Sequence, residues 1–257
     1  MFARSLHRAP VFPHLWLLWF GAAQVLLVYL WWRVGWAAML PVWLLSHGLL
    51  LWGTFRPGSR VLGPVLTRLP TREREVWLTI DDGPSADTPA MLDLLDAHGA
   101  KATFFLVGAR AVAQPALVRE IVRRGHGIGN HSMGHPAAWF WALGPLRLSR
   151  EVARTQAVLA KLTGRPPRWF RAVVGMANPF VAAALKSHGL TRVAWSARGY
   201  DGVAADTERV VARIERDLAP GAIVLMHEGA PHGHNVAMLA LLLQRLDTQG
   251  YRTVLPD

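Results

Sequence analysis

Two adjacent carboxylates, Asp81 and Asp82, close an apolar run and are followed at once by Gly83-Pro84. Neighbouring carboxylates repel, so they persist in a half-buried site chiefly where a cation or a strong hydrogen-bond donor offsets the repulsion. A second polar group, Gly129-Asn130-His131-Ser132-Met133-Gly134-His135, sets two histidines four positions apart. On one helical turn that spacing puts both imidazoles on the same side. With one aspartate they make a two-nitrogen, one-oxygen set suited to a divalent ion that keeps coordination positions open, as a catalytic metal must. Asp82, His131 and His135 are the candidate ligands. Each feature alone has a plainer reading, an aspartate pair capping a helix that begins near Asp87 and two surface histidines; their shared position at strand ends favours the metal.

The elements that must carry these residues are legible in the hydrophobic pattern. Short apolar runs at 76–80, 102–107, 127–131, 169–173, 192–196, 223–227 and 251–255 read as strands. Amphipathic stretches at 88–98, 115–124, 150–162, 179–188, 207–218 and 236–248 read as helices, several ending in a glycine suited to the left-handed position after the last turn: Gly99, Gly125, Gly164, Gly189 and Gly250. Strands alternating with helices imply parallel β-α units closing into a barrel or a curved open sheet. By this reading Asp81, Asp82, His131, His135, Arg171, Asp201 and His227 all fall at one end of one sheet. That end is where parallel α/β folds place their chemistry.

At this point the chain resembles the NodB-homology polysaccharide deacetylases, carbohydrate esterase family 4, over residues 76–257. Thr79-Ile80-Asp81-Asp82-Gly83-Pro84 is similar to the first family motif, His131-Ser132-Met133-Gly134-His135 to the second, Phe170-Arg171-Ala172-Val173-Val174-Gly175 to the third and Leu225-Met226-His227 to the fifth. The resemblance implies a distorted (β/α)7 barrel-like deacetylase fold. It also implies that Asp81 is the general base, Asp82, His131 and His135 the metal ligands, Arg171 the residue that holds the base, and His227 the general acid. Asp201 is expected to partner His227 and raise its pKa. The metal is expected to be zinc, with cobalt or nickel as alternatives, and to lower the pKa of a bound water from about 15.7 to near 7. The substrate expected is an N-acylated amino sugar, with an acetyl or formyl group removed. Two departures bear on substrate. Val173-Val174 stands where the family usually has Pro-Tyr, and Gly202 where a tryptophan usually follows the fourth-motif aspartate. Val174 and Trp195 are the expected substrate walls, together with Trp139; Trp141 is a further replacement aromatic. A membrane-anchored, glycan-binding pseudo-enzyme is the rival from another class.

Residues 14–52 are almost wholly apolar, interrupted by Arg33, and each half approaches the roughly 20 residues a membrane span needs. A signal peptide has a shorter apolar core. Trp31, Trp32, Arg33 and Trp36 resemble an interfacial cluster, with Gly35 free to turn. The expectation is a transmembrane helical hairpin over residues 1–55, a basic linker over 56–74 and a catalytic domain over 75–257; a buried core hairpin or an interfacial re-entrant piece is the alternative. Arg4 and Arg8 precede the hairpin and Arg56, Arg60 and Arg68 follow it, so both ends face the cytoplasm of a bacterial-type inner membrane. A single span would put the domain outside, where peptidoglycan or poly-N-acetylglucosamine would be the substrate. The cytoplasmic arrangement suits a lipid-linked sugar and a flap of residues 137–143 lying on membrane lipids; a buried loop packed under the sheet is the alternative for that stretch. Cysteine is absent, which excludes disulfides and thiolate metal sites. The net charge of +11 comes from scattered arginines with no recognition motif or stacking platform, so nucleic acid is not an expected partner. The sequence leaves the oligomeric state open.

Overall fold

The computed structural model describes Leu6 and residues 8–256. Arg4, one of the basic residues that orient the expected anchor, lies outside the described residues. Two apolar helices lead the chain, α1 (Leu15–Arg33) and α2 (Trp36–Phe55), joined by a turn at Val34 and Gly35 where Gly35 takes φ 113°. Both are long and apolar enough to cross a bilayer, and only 6% and 17% of those stretches is buried. A core hairpin would hide its apolar surface. Here Leu18, Val25, Trp32, Leu45 and Trp52 stand exposed.

Beyond them lie β1 (Glu75–Gly83), α3 (Thr88–Ala97), β2 (Ala102–Leu106), α4 (Gly108–Ala113), α5 (Pro115–Arg123), β3 (Gly127–Asn130), α6 (Pro145–Thr163), β4 (Trp169–Phe170), α7 (Val181–Ser187), β5 (Thr191–Arg192), β6 (Ala197–Arg198), α8 (Thr207–Asp217), β7 (Ile223–His227), α9 (Asn235–Thr248) and β8 (Arg252–Thr253). The sheet runs β5-β4-β3-β2-β1-β7-β6, with β8 beside the start of β1, and every strand pair in it is parallel. Its outer strands, β5 and β6, are consecutive in the chain. The sheet therefore curls back toward itself as an incomplete barrel. The expected β/α repeat is present with one added short strand, β6; two residues are too few to carry a periodicity signal. All five glycines expected after helices, Gly99, Gly125, Gly164, Gly189 and Gly250, take positive φ.

Residues 65–69, within the expected linker, span the opening of the barrel. Leu66 N–H donates to the Arg192 carbonyl at 2.9 Å, the Leu66 carbonyl accepts from Ala194 N–H at 2.8 Å, and Leu69 N–H donates to the Gly221 carbonyl at 2.7 Å. Leu62, Val65 and Leu69 are buried. This stretch packs as part of the barrel wall.

Strand β1 is buried on both faces, which is why it reads as a near-continuous apolar run. The two-residue period sorts its side chains. Val76, Leu78 and Ile80 join the outer core with Phe104, Leu106, Val224, Met226 and the helices, while Trp77 joins the inner cluster with Phe105, Trp169 and Ile223. Thr79 and Asp81 share the inward face with Trp77. Trp77 is fully buried and satisfies its indole N–H on Thr103 Oγ1 at 2.8 Å.

Space inside the barrel is tight at Gly129, where an added Cβ would fall inside contact distance of the Phe105 ring. Gly129→Ala is expected to destabilise the protein by about 1–3 kcal/mol through overpacking, read as a lowered thermal unfolding midpoint in detergent. An unchanged midpoint would show that the ring has room to move.

Candidate active site

The strand ends deliver the expected residues to one cavity of about 180 Å³, lined by Asp81, Asp82, His131, His135, Val174, Trp195, Arg198, Tyr200, Leu225 and His227 among others. Asp81 is the third residue from the end of β1 and lies in register with His227 of β7. The register shifts between Asp81 and Gly83, and this bulge turns Asp82 out of the ladder with φ 70°.

Asp81 is held by Arg171, which follows β4 directly. Nη1 of Arg171 donates to Asp81 Oδ1 at 2.8 Å and to Thr79 Oγ1 at 2.7 Å, and Nη2 donates to the Ala194 carbonyl at 3.0 Å. The guanidinium is wholly buried and lies 4.3 Å from the centroid of the Phe105 ring. Burial pushes its pKa down, and the charge of Asp81 opposes that push.

The two histidines converge, but not on a helical turn as their spacing predicts. Residues 131–135 form a loop in which Ser132 and His135 take φ 65° and 48°. Glu151 of α6 fixes this loop, its Oε2 accepting from Met133 N–H at 2.9 Å and Gly134 N–H at 2.7 Å. Nδ1 of His131 sits 2.9 Å from the Arg171 carbonyl, so Nε2 is the nitrogen turned toward the site. The Nε2 atoms of His131 and His135 lie 3.4 and 2.9 Å from Asp82 Oδ1. The three ligand atoms fall within 4.8 Å of one another.

These separations suit a shared cation. Ligand atoms bound at about 2.0–2.2 Å to one metal sit about 3–3.5 Å apart. Asp82 Oδ1 is buried yet has no hydrogen-bond partner of good geometry, an orphan that an ion at this point would satisfy. Burial resists ionisation of Asp82, but the adjoining His131 and His135 outweigh it and hold the carboxyl well below the usual range. The donor set therefore fits a divalent metal.

On the other side of the cavity His227 Nδ1 lies 2.9 Å from Asp201 Oδ1, and His227 N–H donates to Asp201 Oδ2. Asp201 is fully buried, and its carbonyl accepts from Asn235 Nδ2 at 3.2 Å and lies 2.8 Å from His232 Nε2. Burial alone would depress the imidazolium; Asp201, with Asp81 and Asp82 beyond it, overrides burial and raises the His227 pKa to about 9.

Of the expected substrate walls, Val174 and Trp195 line the cavity and Trp139 does not. Trp139 is exposed beside a short turn of 3₁₀ helix, Phe140–Ala142, in which Phe140 is buried and Trp141 packs against Phe55. Gly175 makes room for Trp195, whose ring occupies the space a Cβ would take. Sequence reasoning missed Glu151, Arg198 and Tyr200. Glu151 lies within a predicted helix with no local signal of its loop contact, whereas the run Trp195, Arg198 and Tyr200 between a strand and Asp201 held an aromatic and basic cue. The non-glycine residues with positive φ among those described are Asp82, Ser132, His135, Val174 and Tyr200. Every one is a candidate metal ligand, lines the cavity or links the candidate ligands. Strained backbone of this kind collects at functional sites.

Comparison with known proteins agrees with this geometry. Residues 68–193 match the family model described as polysaccharide deacetylase. The chain is 37% identical over 162 residues to a chitooligosaccharide deacetylase of Bradyrhizobium sp., covering 62% of this chain and 73% of that protein. It is 34% identical over 196 residues to a peptidoglycan-N-acetylglucosamine deacetylase of Bacillus cereus, covering 75% and 91%. Among solved structures, a family 4 carbohydrate esterase from Streptomyces lividans in complex with acetate superposes with TM-score 0.65 at 33% identity, covering 70% of this chain and 92% of the other. A family 4 pseudoenzyme from Bacillus anthracis does so with TM-score 0.67 at 26% identity, covering 74% and 66%. By these matches the chain belongs to the polysaccharide deacetylase family, carbohydrate esterase family 4.

Proposed function

We propose that this protein is a metal-dependent N-deacylase of amino sugars, hydrolysing an acetyl or formyl amide at the membrane surface. The observation that carries this reading is the convergence of one metal-ligand set with two separate proton-handling pairs, Asp81–Arg171 and His227–Asp201, on one cavity. Asp82, His131 and His135 would hold the cation, and zinc is the metal this nitrogen-rich set favours. Bound there, it would polarise the acyl carbonyl and make a water more acidic.

The rest follows from the chain's own side chains. Asp81 accepts the proton of the attacking water on Oδ2, because Oδ1 is committed to Arg171. Arg171 is kept from rotating away by its further bonds to Thr79 and the Ala194 carbonyl. His227 donates from Nε2 to the leaving amine, with Nδ1 fixed by Asp201. Val174 and Trp195 form walls that exclude water and position the sugar. A pseudo-enzyme has no need of both proton-handling pairs, and here both are complete.

The membrane placement rests on how the hairpin meets the site. The Thr54 carbonyl at the end of α2 accepts from Ala177 N–H at 2.8 Å, Trp16 of α1 meets Phe180 edge-on at 5.4 Å, and Phe55 lies 5.9 Å from Trp141. Residues 173–180, which carry the cavity-lining Val174 and Gly175, are thus held against the ends of both apolar helices. With residues 1–55 as a two-span anchor, 56–74 as its basic connection and 75–257 as the catalytic domain, the cavity opens beside the bilayer. A lipid-linked amino sugar presents its head group at that level, and the flanking arginines support a site on the cytoplasmic side.

Exchange of His131 or Asp82 for alanine is expected to abolish metal content and amide hydrolysis together, with kcat/KM falling about 100- to 1000-fold or more. Wild-type turnover by a metal-free His131→Ala protein would overturn the reading. The acid must be protonated to act, so activity declines as pH rises through the His227 pKa near 9. Asp201→Asn removes the charge that raises it; the alkaline limb of the kcat/KM profile should move to lower pH, by about 1–3 units. An unmoved limb would exclude His227 as the acid. A tag after residue 257 should be cut by protease only in inside-out vesicles; cutting only in right-side-out vesicles would mean one span and an external site.

A further inference from the structure

The cavity holds one cation that the chemistry above does not use. Arg198, at the end of β6, lines it together with Asp81, Asp82, His131, His135 and His227. Its side chain sits in an alternating stack of guanidinium groups and rings. Trp195 lies between Arg171 and Arg198, with centroid distances of 5.8 and 5.0 Å, and Tyr200 lies between Arg198 and Arg213, at 4.0 and 5.7 Å. Both neighbours in the stack have polar partners. Arg171 is paired with Asp81 and Arg213 donates to the Gly199 carbonyl. Arg198 has no hydrogen bond or ion pair from its side chain among the described residues, and its Nε is buried without a partner. Burial lowers its pKa, while Tyr200, Asp201 and Asp81 work against that effect.

Ring contacts occupy the faces of a guanidinium and leave its in-plane N–H donors free. Those donors form a fork that matches the paired oxygens of a carboxylate or phosphate. The carboxylates already present are spoken for: Asp81 by Arg171, Asp201 by His227, and Asp82 by the metal-ligand set. Tyr200 keeps φ 67°, an unfavourable backbone setting that places its ring against Arg198. A half-buried, immobilised and unpaired guanidinium on the wall of a substrate cavity is costly unless a ligand uses it.

We propose that Arg198 is a specificity residue that binds an anionic group carried by the substrate, so that the preferred substrate is an amino sugar bearing a phosphate or a carboxylate close to its N-acyl group. The inference rests on the deacylase reading for what enters the cavity, but its test by binding does not. Arg198 does not move a proton in the reaction. It selects and orients the sugar. A phosphate would be that of a sugar joined to a lipid carrier, which accords with the anchored site; a carboxylate would be part of the sugar itself.

The test uses the full chain in detergent, loaded with zinc, and three probes: N-acetylglucosamine 1-phosphate, N-acetylmuramic acid as the carboxylate arm, and neutral di-N-acetylchitobiose. Calorimetry should show at least one anionic probe binding about 10- to 100-fold more tightly than the neutral one, the magnitude of a hydrogen-bonded charge pair. The tighter of the two anionic arms identifies the group. Arg198→Gln should erase that preference, raising KM for the anionic probe while leaving kcat within about threefold and the neutral probe's KM unchanged. Arg198→Lys, which keeps charge and bulk but not the fork, should restore part of the preference and guards against loss of folding. Equal binding of all three probes by the wild type would overturn the proposal. So would an equal fall in kcat on anionic and neutral probes in Arg198→Gln, since that would make Arg198 only a counter-charge for Asp81 and Asp201. Failure of every probe to be hydrolysed, with the anionic preference intact, would instead count against the deacylase reading and leave Arg198 as the anion site.

Discussion

The ion pair between Arg171 and Asp81 lies inside the barrel, where neither partner reaches bulk water. Taking two such charges out of water costs several kcal/mol for each, and removing one partner alone typically costs about 3–5 kcal/mol because the other is left bare. The surrounding residues are those that such a pair demands. Thr79, two positions before Asp81 on the same strand face, accepts a second guanidinium donor, Ala194 supplies a carbonyl to a third, and Phe105 covers one face of the ring plane. The Arg171 carbonyl also engages Nδ1 of His131. One residue after β4 thus sets the orientation of Asp81, the proposed base, and the tautomer of His131, a proposed metal ligand. Support of this kind beyond the ligands is what holds a metal site in a productive geometry.

The family likeness alone does not decide activity, because solved structures similar to this chain include both an esterase holding acetate and a pseudoenzyme. The decision lies in the side chains. Metal affinity can persist in a site that has lost its proton carriers, but a buried aspartate such as Asp201, with both oxygens turned on His227, has no role in a cavity that only holds a glycan. Its cost is offset by what it does to the imidazole, which it keeps charged at neutral pH.

Much of this is legible in the sequence. The β1 run, the glycines after the helices and the polar residues at strand ends give the parallel architecture and bring Asp81, Asp82, His131, His135, Arg171, Asp201 and His227 to one end. Three things are not. Strand β6 is two residues long and is defined by its pairing with β7, which no local pattern records. The barrel wall formed by residues 65–69 reads as linker because Pro64, Arg68 and Pro70 mask the buried side chains of Val65 and Leu69, and its partners lie far along the chain. The His131–His135 pair reads as a helical turn because spacing cannot distinguish that turn from a loop with left-handed Ser132 and His135, in which the N–H groups of Met133 and Gly134 are held by Glu151. Tertiary contacts overrode the local pattern in each case.

The loop over residues 173–180 links the cavity to the two apolar helices. Val174 is β-branched and takes φ 53°, a setting that L residues of its kind rarely adopt. Gly175 next to it lies against both Trp195 of the cavity and Pro57 of the segment leaving α2, and a side chain there would collide with both. Two residues further on, Ala177 is bonded to Thr54. Where a proline-tyrosine pair would stiffen this wall from within, valines leave it to be fixed from outside, by the helices. With the hairpin in a bilayer, as proposed, the membrane itself determines where this wall stands. The exposed Val174 side chain then offers an apolar lip between the lipid surface and the metal-ligand set, the place through which an acyl sugar on a lipid carrier would pass. The unusual third motif and the anchor are, on this view, one adaptation rather than two.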